Sequence, residues 1–310
     1  MSVSAHNSQS RFVSGVMYAA CVICTVVILS LLVLVTAYLV SIGWQSLHWS
    51  FFTQDPIPLG LPGAPGGMRN AVLGTLMLIA LASIVGVPMG VLTGIYLSEY
   101  QAGAVFTRPV RFVCDVLAGV PSIVVGVLGY ALLVAPAAAG WFSHIPVFSE
   151  ISSFNGWAGA LALAFIMIPI IARTTEEMLS LVPSSYREAS VALGATKAST
   201  IIKVVLPSAT ASIVTGVMLA IARVAGETAP LLFTALNSDF MPVEINRHFP
   251  FIHPLLGQPF PSLTVTAFNY ARDIDPDRQK LAWAGILVLI MLVFAVNLSV
   301  RLATRRRRKA

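Results

Sequence analysis

The sequence predicts an all-α polytopic membrane protein with six transmembrane helices and both termini cytoplasmic. Three observations carry that prediction. The chain is 57% hydrophobic and only 10% charged, where soluble chains hold roughly a quarter charged residues. Its apolar residues gather into long runs, and a bilayer-spanning helix needs about 20 such residues. Its basic residues fall mainly on one side of the alternation those runs define. The net charge of +6 would in a soluble protein raise nucleic acid as a partner, and here it is first a topology signal.

The six runs are 16–43, 72–97, 112–134, 156–171, 209–236 and 281–303. At 1.5 Å per residue each can cross about 30 Å of hydrocarbon, the fourth only if its helix continues past Arg173. In the first run Tyr18-Ala-Ala-Cys21 looks like a lipoprotein cleavage site, but the apolar stretch follows the cysteine instead of preceding it. The run is a membrane anchor. In the second, Gly86, Gly90 and Gly94 recur every four residues around Pro88 and predict close packing against another helix. In the third, Pro121-Ser122 and Gly126 predict a bend, and the carbonyl that Pro121 leaves unbonded favours a protein-facing position.

One side of the chain receives Arg11, Arg108, Arg111, Arg187, Lys197, Lys203, Arg301 and the basic run 305–309. The other receives Arg69, Arg247, Arg272, Arg278 and Lys280, mostly in one long loop. The richer side is cytoplasmic. Trp44, Trp141, Trp157 and Trp283 fall at the outer ends of spans, where an indole suits the headgroup level. Six of the 19 basic residues lie in the last ten positions, and without them basic and acidic residues balance. The chain thus divides into residues 1–70 with the first helix and an outer loop rich in proline and glycine, a transporter domain at 71–303, and a basic tail at 304–310. A second outer loop, 237–280, carries Phe249, Phe251, Phe260, Phe268 and Tyr270 among prolines. It is either a docking surface for an external partner or a loop packed on its own helices.

Between the fourth and fifth spans, residues 183–207 form the most informative loop. Ser185 with Glu188 three residues on predicts a capping box and a helix from Tyr186, ended near Gly194. A second helix is expected from about Ala198 toward Pro207. Two short helices joined at a glycine make a small-residue knuckle that would fit a groove on another protein. The series Glu188-Ala189-Ser190, Gly194, Val204, Leu206-Pro207 resembles the EAA loop of ABC importer permeases, with Ser190 and Val204 departing mildly from the usual alanine and isoleucine. That resemblance implies the type I ABC importer permease fold, with the knuckle as a coupling helix docked on an ATPase through Glu188, Ala189, Gly194, Leu206 and Pro207. No Gly-x-x-x-x-Gly-Lys-Ser/Thr loop occurs in the chain, so the ATPase is expected to be a separate subunit.

Ionisable residues inside spans point to a transport path, because each costs about 2.5 to 3.5 kcal/mol at the bilayer centre. Arg223 lies sixteen residues after Pro207, about 24 Å along a helix, and Glu227 follows four residues later on the same predicted face. A guanidinium fork matches phosphate oxygens, and a nearby carboxylate can accept the proton of a protonated phosphate while repelling sulfate. The alternative is an ion pair that only fixes helix packing. Arg173, followed by Glu176 and Glu177, is either a helix-end anchor or an exit-path ligand. Arg69 with Asn70 is an interfacial anchor or an access contact, with the anchor preferred.

The stretches Gly67-Met-Arg-Asn-Ala71, Ile95-Tyr-Leu-Ser-Glu-Tyr100, Val120-Pro-Ser-Ile-Val124, Ile170-Ile-Ala-Arg-Thr-Thr-Glu-Glu-Met178, Ala222-Arg-Val-Ala-Gly-Glu-Thr-Ala-Pro-Leu-Leu-Phe-Thr-Ala235 and Leu281-Ala-Trp-Ala-Gly285 are similar to the A-type permeases of phosphate-specific ABC importers. The similarity runs from Arg69 to the last span. It implies a bacterial plasma-membrane subunit that pairs with a sister permease, two copies of a cytoplasmic ATPase and an external phosphate-binding protein. ATP and Mg would be used by the ATPase, with no cofactor held by this chain. It places Arg223, Glu227 and Arg173 on the path and makes Asn70, Ser122 and Thr228 further candidates. An intramembrane enzyme is disfavoured, since His6, His48, His144, His248 and His253 all lie in predicted loops or tails without an acidic cluster. Cys21, Cys24 and Cys114 make no disulfide framework or metal pattern.

Overall fold

The computed structural model describes residues 2–57, 66–100, 105–140, 153–240 and 257–307, with side chains from 13 to 302. Among them no strand forms, and a single isolated bridge joins Pro56 to Gly66. The elements are α1 (Ser2–Gly43), α2 (Trp49–Thr53), α3 (Arg69–Glu99), α4 (Thr107–Gly119), α5 (Ser122–Gly129), α6 (Ala135–Ala138), α7 (Gly156–Ser180), α8 (Ser184–Ala192), α9 (Lys197–Thr200), α10 (Leu206–Ala225), α11 (Ala229–Thr234), α12 (Leu263–Ala271) and α13 (Pro276–Arg307). Five helical stretches are long and apolar enough to cross a membrane: Val13–Ser46, Arg69–Glu99, Gly156–Ser180, Lys197–Ala225 and Pro276–Leu302. The count reaches six if a bent pair, Thr107–Gly119 with Ser122–Ala138, is taken as one span.

That pair corrects the third predicted span. Residues 112–119 do not continue into it, because α4 meets the helix beginning at Ser122 at 106°. Val120 precedes Pro121 and takes the extended conformation, with φ −68° and ψ 132°, that a following proline favours. The straight apolar stretch beyond the bend therefore runs from Ser122 to Ala138. α4 lies across it as an amphipathic helix, with Thr107 and Cys114 buried and Phe112, Val113 and Val116 outward.

α7 is the centre of the bundle, with 67% of its apolar window buried. It continues past Arg173 to Ser180, as the fourth span requires. α3 packs along it through the three glycines that the sequence singles out. A Cβ at Gly86 would sit 3.1 Å from the Cβ of Met167, one at Gly90 2.7 Å from that of Ile171, and one at Gly94 2.5 Å from that of Thr175. Side chains there would push the helices apart. α10 docks on another face, where Gly216 meets Thr174.

The fifth predicted span is also corrected, at both ends. Its helix starts at Lys197, because α9 runs through a π turn at Ile201–Val205 directly into α10, so Pro207 does not end it. The Leu206 N–H reaches back to the Ile201 carbonyl, and this wider turn accommodates the ring and missing N–H of Pro207. The same device, a π turn at Tyr130–Val134, precedes Pro136. At the other end the helix stops at Ala225, and residues 226–228 break it before the short α11.

Among the described residues, α1 is exposed from Val13 to Tyr38 and meets the bundle near its end, where Gly43 meets the Trp283 carbonyl and Leu287 and the Tyr38 ring meets that of Trp283 edge-on at 5.7 Å. Phe51, Met68, Leu263, Tyr270 and Leu281 form a second core at this end of the bundle. Phe260 and Tyr270 of the aromatic loop are buried within the chain, whereas Phe268 is exposed with Arg272 stacked 5.3 Å from its ring. Of the predicted features, Phe249, Phe251, Arg247, Trp141, His144, His248, His253, most of the glycine-rich outer loop and the end of the basic tail lie outside the described residues.

Candidate functional site

Arg223 occupies the last turn of α10, and Glu227 lies in the break that follows it. The sequence expectation of one continuous helical face is therefore corrected. The backbone folds over, with the N–H of Gly226 donating to the Arg223 carbonyl and that of Glu227 to the Val224 carbonyl, both at 3.1 Å. The Nε of Arg223 still stands 3.9 Å from Oε1 of Glu227. Half of the arginine side chain is uncovered by the chain, against 14% of the glutamate. Such a distance is an ion pair without a good hydrogen bond.

The break is held from several sides. Thr264 on α12 donates to the Glu227 carbonyl at 2.9 Å, and Thr266 donates to Oδ1 of Asn237 at 3.0 Å. α11 lies on α5, where a Cβ at Gly126 would come 3.0 Å from the Pro230 Cα and one at Gly129 2.8 Å from Thr234. Leu236 closes α11 at φ 59°, a conformation unusual for a leucine, and its N–H donates to the Leu231 carbonyl at 2.9 Å. Thr228 and Ser122 are both half-buried, Thr228 next to Glu227 in the break and Ser122 one turn before Gly126 on α5. Thus α5, α11 and α12 fix the loop that carries Glu227, and α10 aims Arg223 beside it.

Asn70 and Arg69 are elsewhere. Asn70 is fully buried and donates to the Ser238 carbonyl at 3.0 Å, while Arg69 makes a two-pronged contact with Asp55 at 3.0 and 2.6 Å.

Arg173 belongs to a separate cluster. Its Nε stands 2.8 Å from Asp115 on α4 and its Nη1 2.8 Å from Glu176, whose other oxygen accepts from Nε of Arg111 at 2.9 Å. Two arginines and two carboxylates tie α4 to α7. Thr174 faces Gly216, so Arg173 lies about two turns, or ~10 Å, below Arg223 along the bundle. Asp115 is not among the residues expected from the sequence, although it is the one acid between residues 101 and 148 and stands four residues after Arg111. That spacing is the signal that 112–119 is not a plain apolar span.

The knuckle is α8, Gly194 and α9. α8 begins at Ser184 behind Pro183 without a side-chain cap, so the expected capping box at Ser185 is not formed. α9 is capped instead by Thr196, whose hydroxyl accepts from the Ser199 N–H at 3.3 Å. Gly194 has φ +82°, which explains glycine there, since a Cβ would meet nothing within 4 Å. Glu188 and Ala189 are exposed, as are Tyr186, Val191 and Leu193, the last by 89%. Arg187 roots the knuckle in the bundle through Glu99 at 2.6 Å and the carbonyls of Leu179 at 2.9 Å and Val182 at 2.6 Å.

The sequence pattern of the family described as "Binding-protein-dependent transport system inner membrane component" matches residues 86–309. A Yersinia pestis protein named "Phosphate transport system permease protein PstA" is 39% identical over 259 residues, which are 84% of this chain and 79% of that protein. A protein of the same name from Haemophilus influenzae is 38% identical over 85% of this chain and 84% of its own length. "Phosphate transport system permease protein PstA 2" of Mycobacterium bovis is 36% identical over 96% and 91%. Among solved structures, an inward-facing conformation of the MetNI methionine ABC transporter matches 76% of this chain and 92% of its own, with a TM-score of 0.52 and 19% identity. This last likeness concerns the fold.

Proposed function

The chain belongs to the family of binding-protein-dependent transport system inner membrane components, and from that premise we propose that it is a permease subunit of an ATP-driven importer of inorganic phosphate. Its fold is that of an ABC importer permease and it is no enzyme, in keeping with relatives that are permease subunits. The names of those relatives supply the substrate class. The observation that carries the reading is Arg223, a guanidinium half uncovered by its own chain inside an otherwise apolar helix, with one carboxylate at 3.9 Å. Its fork can take two phosphate oxygens while Glu227 accepts the proton that phosphate has and sulfate lacks. We assign Arg223, Glu227 and Thr228 to the path and Arg173 to the fastening of α4 on α7.

The remaining parts follow from the same reading. A sister permease covers the open face of α10 and completes the path. Two cytoplasmic ATPase subunits use ATP and Mg, and an external phosphate-binding protein delivers the anion. The exposed knuckle around Glu188 docks on one ATPase. From Lys197 to Arg223 the chain is one helical rod of about 39 Å, so movement at the knuckle reaches the arginine without an intervening hinge. Both termini are cytoplasmic by the distribution of basic residues. The test is Arg223→Gln in the whole complex in membranes, with uptake of inorganic phosphate measured. Loss of about 100-fold is expected from two charge-assisted hydrogen bonds, and unchanged uptake would remove Arg223 from the mechanism. Glu188→Arg is expected to release the ATPase, and retention of both ATPase and uptake would sink the coupling assignment.

A further inference from the structure

One half of the knuckle, α9, is continuous with α10, whereas the other half, α8, has no such continuity. α8 hangs between the short connection 181–183 from α7 and the turn 193–196 that carries Gly194. None of its residues is buried, so no apolar face positions it and polar contacts must. Inside the knuckle the hydroxyls of Ser190 and Thr200 lie 2.9 Å apart and hold α8 on α9. Toward the bundle the tie is Arg187. Its fork takes both oxygens of Glu99, Nε to Oε2 at 3.2 Å and Nη2 to Oε1 at 2.6 Å, and its donors also reach the carbonyls of Leu179 and Val182.

Glu99 runs against local preference. It is the last residue of α3, where the helix dipole disfavours a carboxylate, and only 6% of its side chain is exposed. A carboxylate so buried is costly without a charged partner. Arg187 offsets both costs, and at the end of α7 a cation is itself favoured by the carbonyls. α8 therefore cannot leave α3 without stranding a buried charge. The next residue repeats the contact from the other half of the knuckle, since Nζ of Lys197, which opens α9, stands 4.4 Å from the centroid of the Tyr100 ring. Both halves thus grip the end of α3, and α3 is locked along α7 at Gly86, Gly90 and Gly94.

We propose that Arg187 and Glu99 are positioning residues for transport: they fasten the knuckle to the α3–α7 pair, so that movement of the ATPase reaches these helices together with α10. The proposal rests on the coupling reading above.

The complete complex is reconstituted in vesicles with the binding protein present, and ATP hydrolysis and uptake of labelled inorganic phosphate are followed together. The readout is phosphate moved per ATP hydrolysed. A contact that only supports the fold changes the amount of complex or its melting temperature and leaves this ratio alone. Glu99→Gln and Arg187→Gln are each expected to lower the ratio about tenfold, the weight of one hydrogen bond to a charged group, with the ATPase subunits still bound. Arg187→Lys, which keeps the charge and loses the fork, should fall between. A ratio equal to that of the unsubstituted complex would overturn the proposal, even where less complex is recovered. Glu99→Gln leaves Arg187 its carbonyl partners and carries the test alone if Arg187→Gln fails to assemble. Glu188→Arg run in parallel separates the two failures: if it releases the ATPase while Glu99→Gln keeps a normal ratio, only the fastening role falls. If Glu188→Arg keeps both ATPase and uptake, the coupling reading falls first.

Discussion

Arg173 and Arg223 are both arginines within helices that cross the membrane, and their surroundings differ. Arg173 is gripped by Asp115 and Glu176 at 2.8 Å each, in a cluster that also holds Arg111. Arg223 has Glu227 at 3.9 Å and leaves half of its side chain uncovered by the chain. A guanidinium that has spent its fork on carboxylates fastens helices, whereas one with most of its donors still turned outward is placed to receive an anion. The difference lies in the neighbours, and those come from other helices in one case and from a backbone break in the other.

The comparison breaks most visibly at its two arginines. Arg223→Gln should abolish phosphate uptake while the complex melts at its normal temperature. Arg173→Gln should do the reverse, because it takes away the partner of Asp115 and leaves Glu176 with Arg111 alone. Arg173 and Asp115 are 33% and 47% exposed, so solvent screening limits the expected loss to about 1 kcal/mol. Melting of the purified complex should fall, and Arg173→Gln with Asp115→Asn together should recover part of the loss. A normally stable Arg173→Gln complex without transport would make Arg173 a ligand and erase the distinction drawn here.

A smaller effect sharpens the role of the carboxylate beside Arg223. Glu227→Gln keeps the shape of the side chain and removes the charge that repels sulfate. Uptake of phosphate in competition with sulfate should lose roughly tenfold in selectivity, a change of about 1.4 kcal/mol. Selectivity that stays constant would confine Glu227 to holding the break.

Much of the bundle was legible in the sequence because length and composition determine which segments can cross a bilayer. The α3–α7 contact was legible for a related reason: Gly86, Gly90 and Gly94 carry no side chain and recur at helical spacing. Pro121 announced the bend but not its size, which depends on how α4 is pinned by Arg173 and Arg111. The break at 226–228 was hidden, because apolar residues flank it and a lone glycine in a membrane helix is weak evidence. What holds it is a long-range bond from Thr264. Arg223 and Glu227 stood out as charges in an apolar run, yet their separation could not be read from a helical period that stops at Ala225.

Arg278, near the start of α13, supplies a third arginine on the fastening side of the comparison. It is 7% exposed, donates to Asp273 at 3.3 Å and to the Ile57 carbonyl at 2.9 Å, and stacks 5.0 Å from the ring of Tyr270. The N–H of Asp275, ahead of Arg278, holds the Asp273 carboxyl below the usual carboxylate range. Burial pushes the Tyr270 hydroxyl up to about 12, with Asp239 adding to the rise and Arg278 opposing it. The signs are opposite in form and alike in consequence. For Asp273 the folded chain favours the carboxylate, so its contribution is complete above about pH 4 and fades as pH falls through the lowered folded value. For Tyr270 the folded chain favours the neutral phenol, so its contribution is complete below about pH 10 and is lost as pH rises toward the folded value. Thermal melting of the complex should therefore show a plateau between these limits. Asp273→Asn should flatten the acid limb and Tyr270→Phe the alkaline one, with phosphate uptake at neutral pH unchanged in both. If either substitution altered uptake as Arg223→Gln does, the separation of fastening arginines from the receiving one would fail at the point where the geometry makes it clearest.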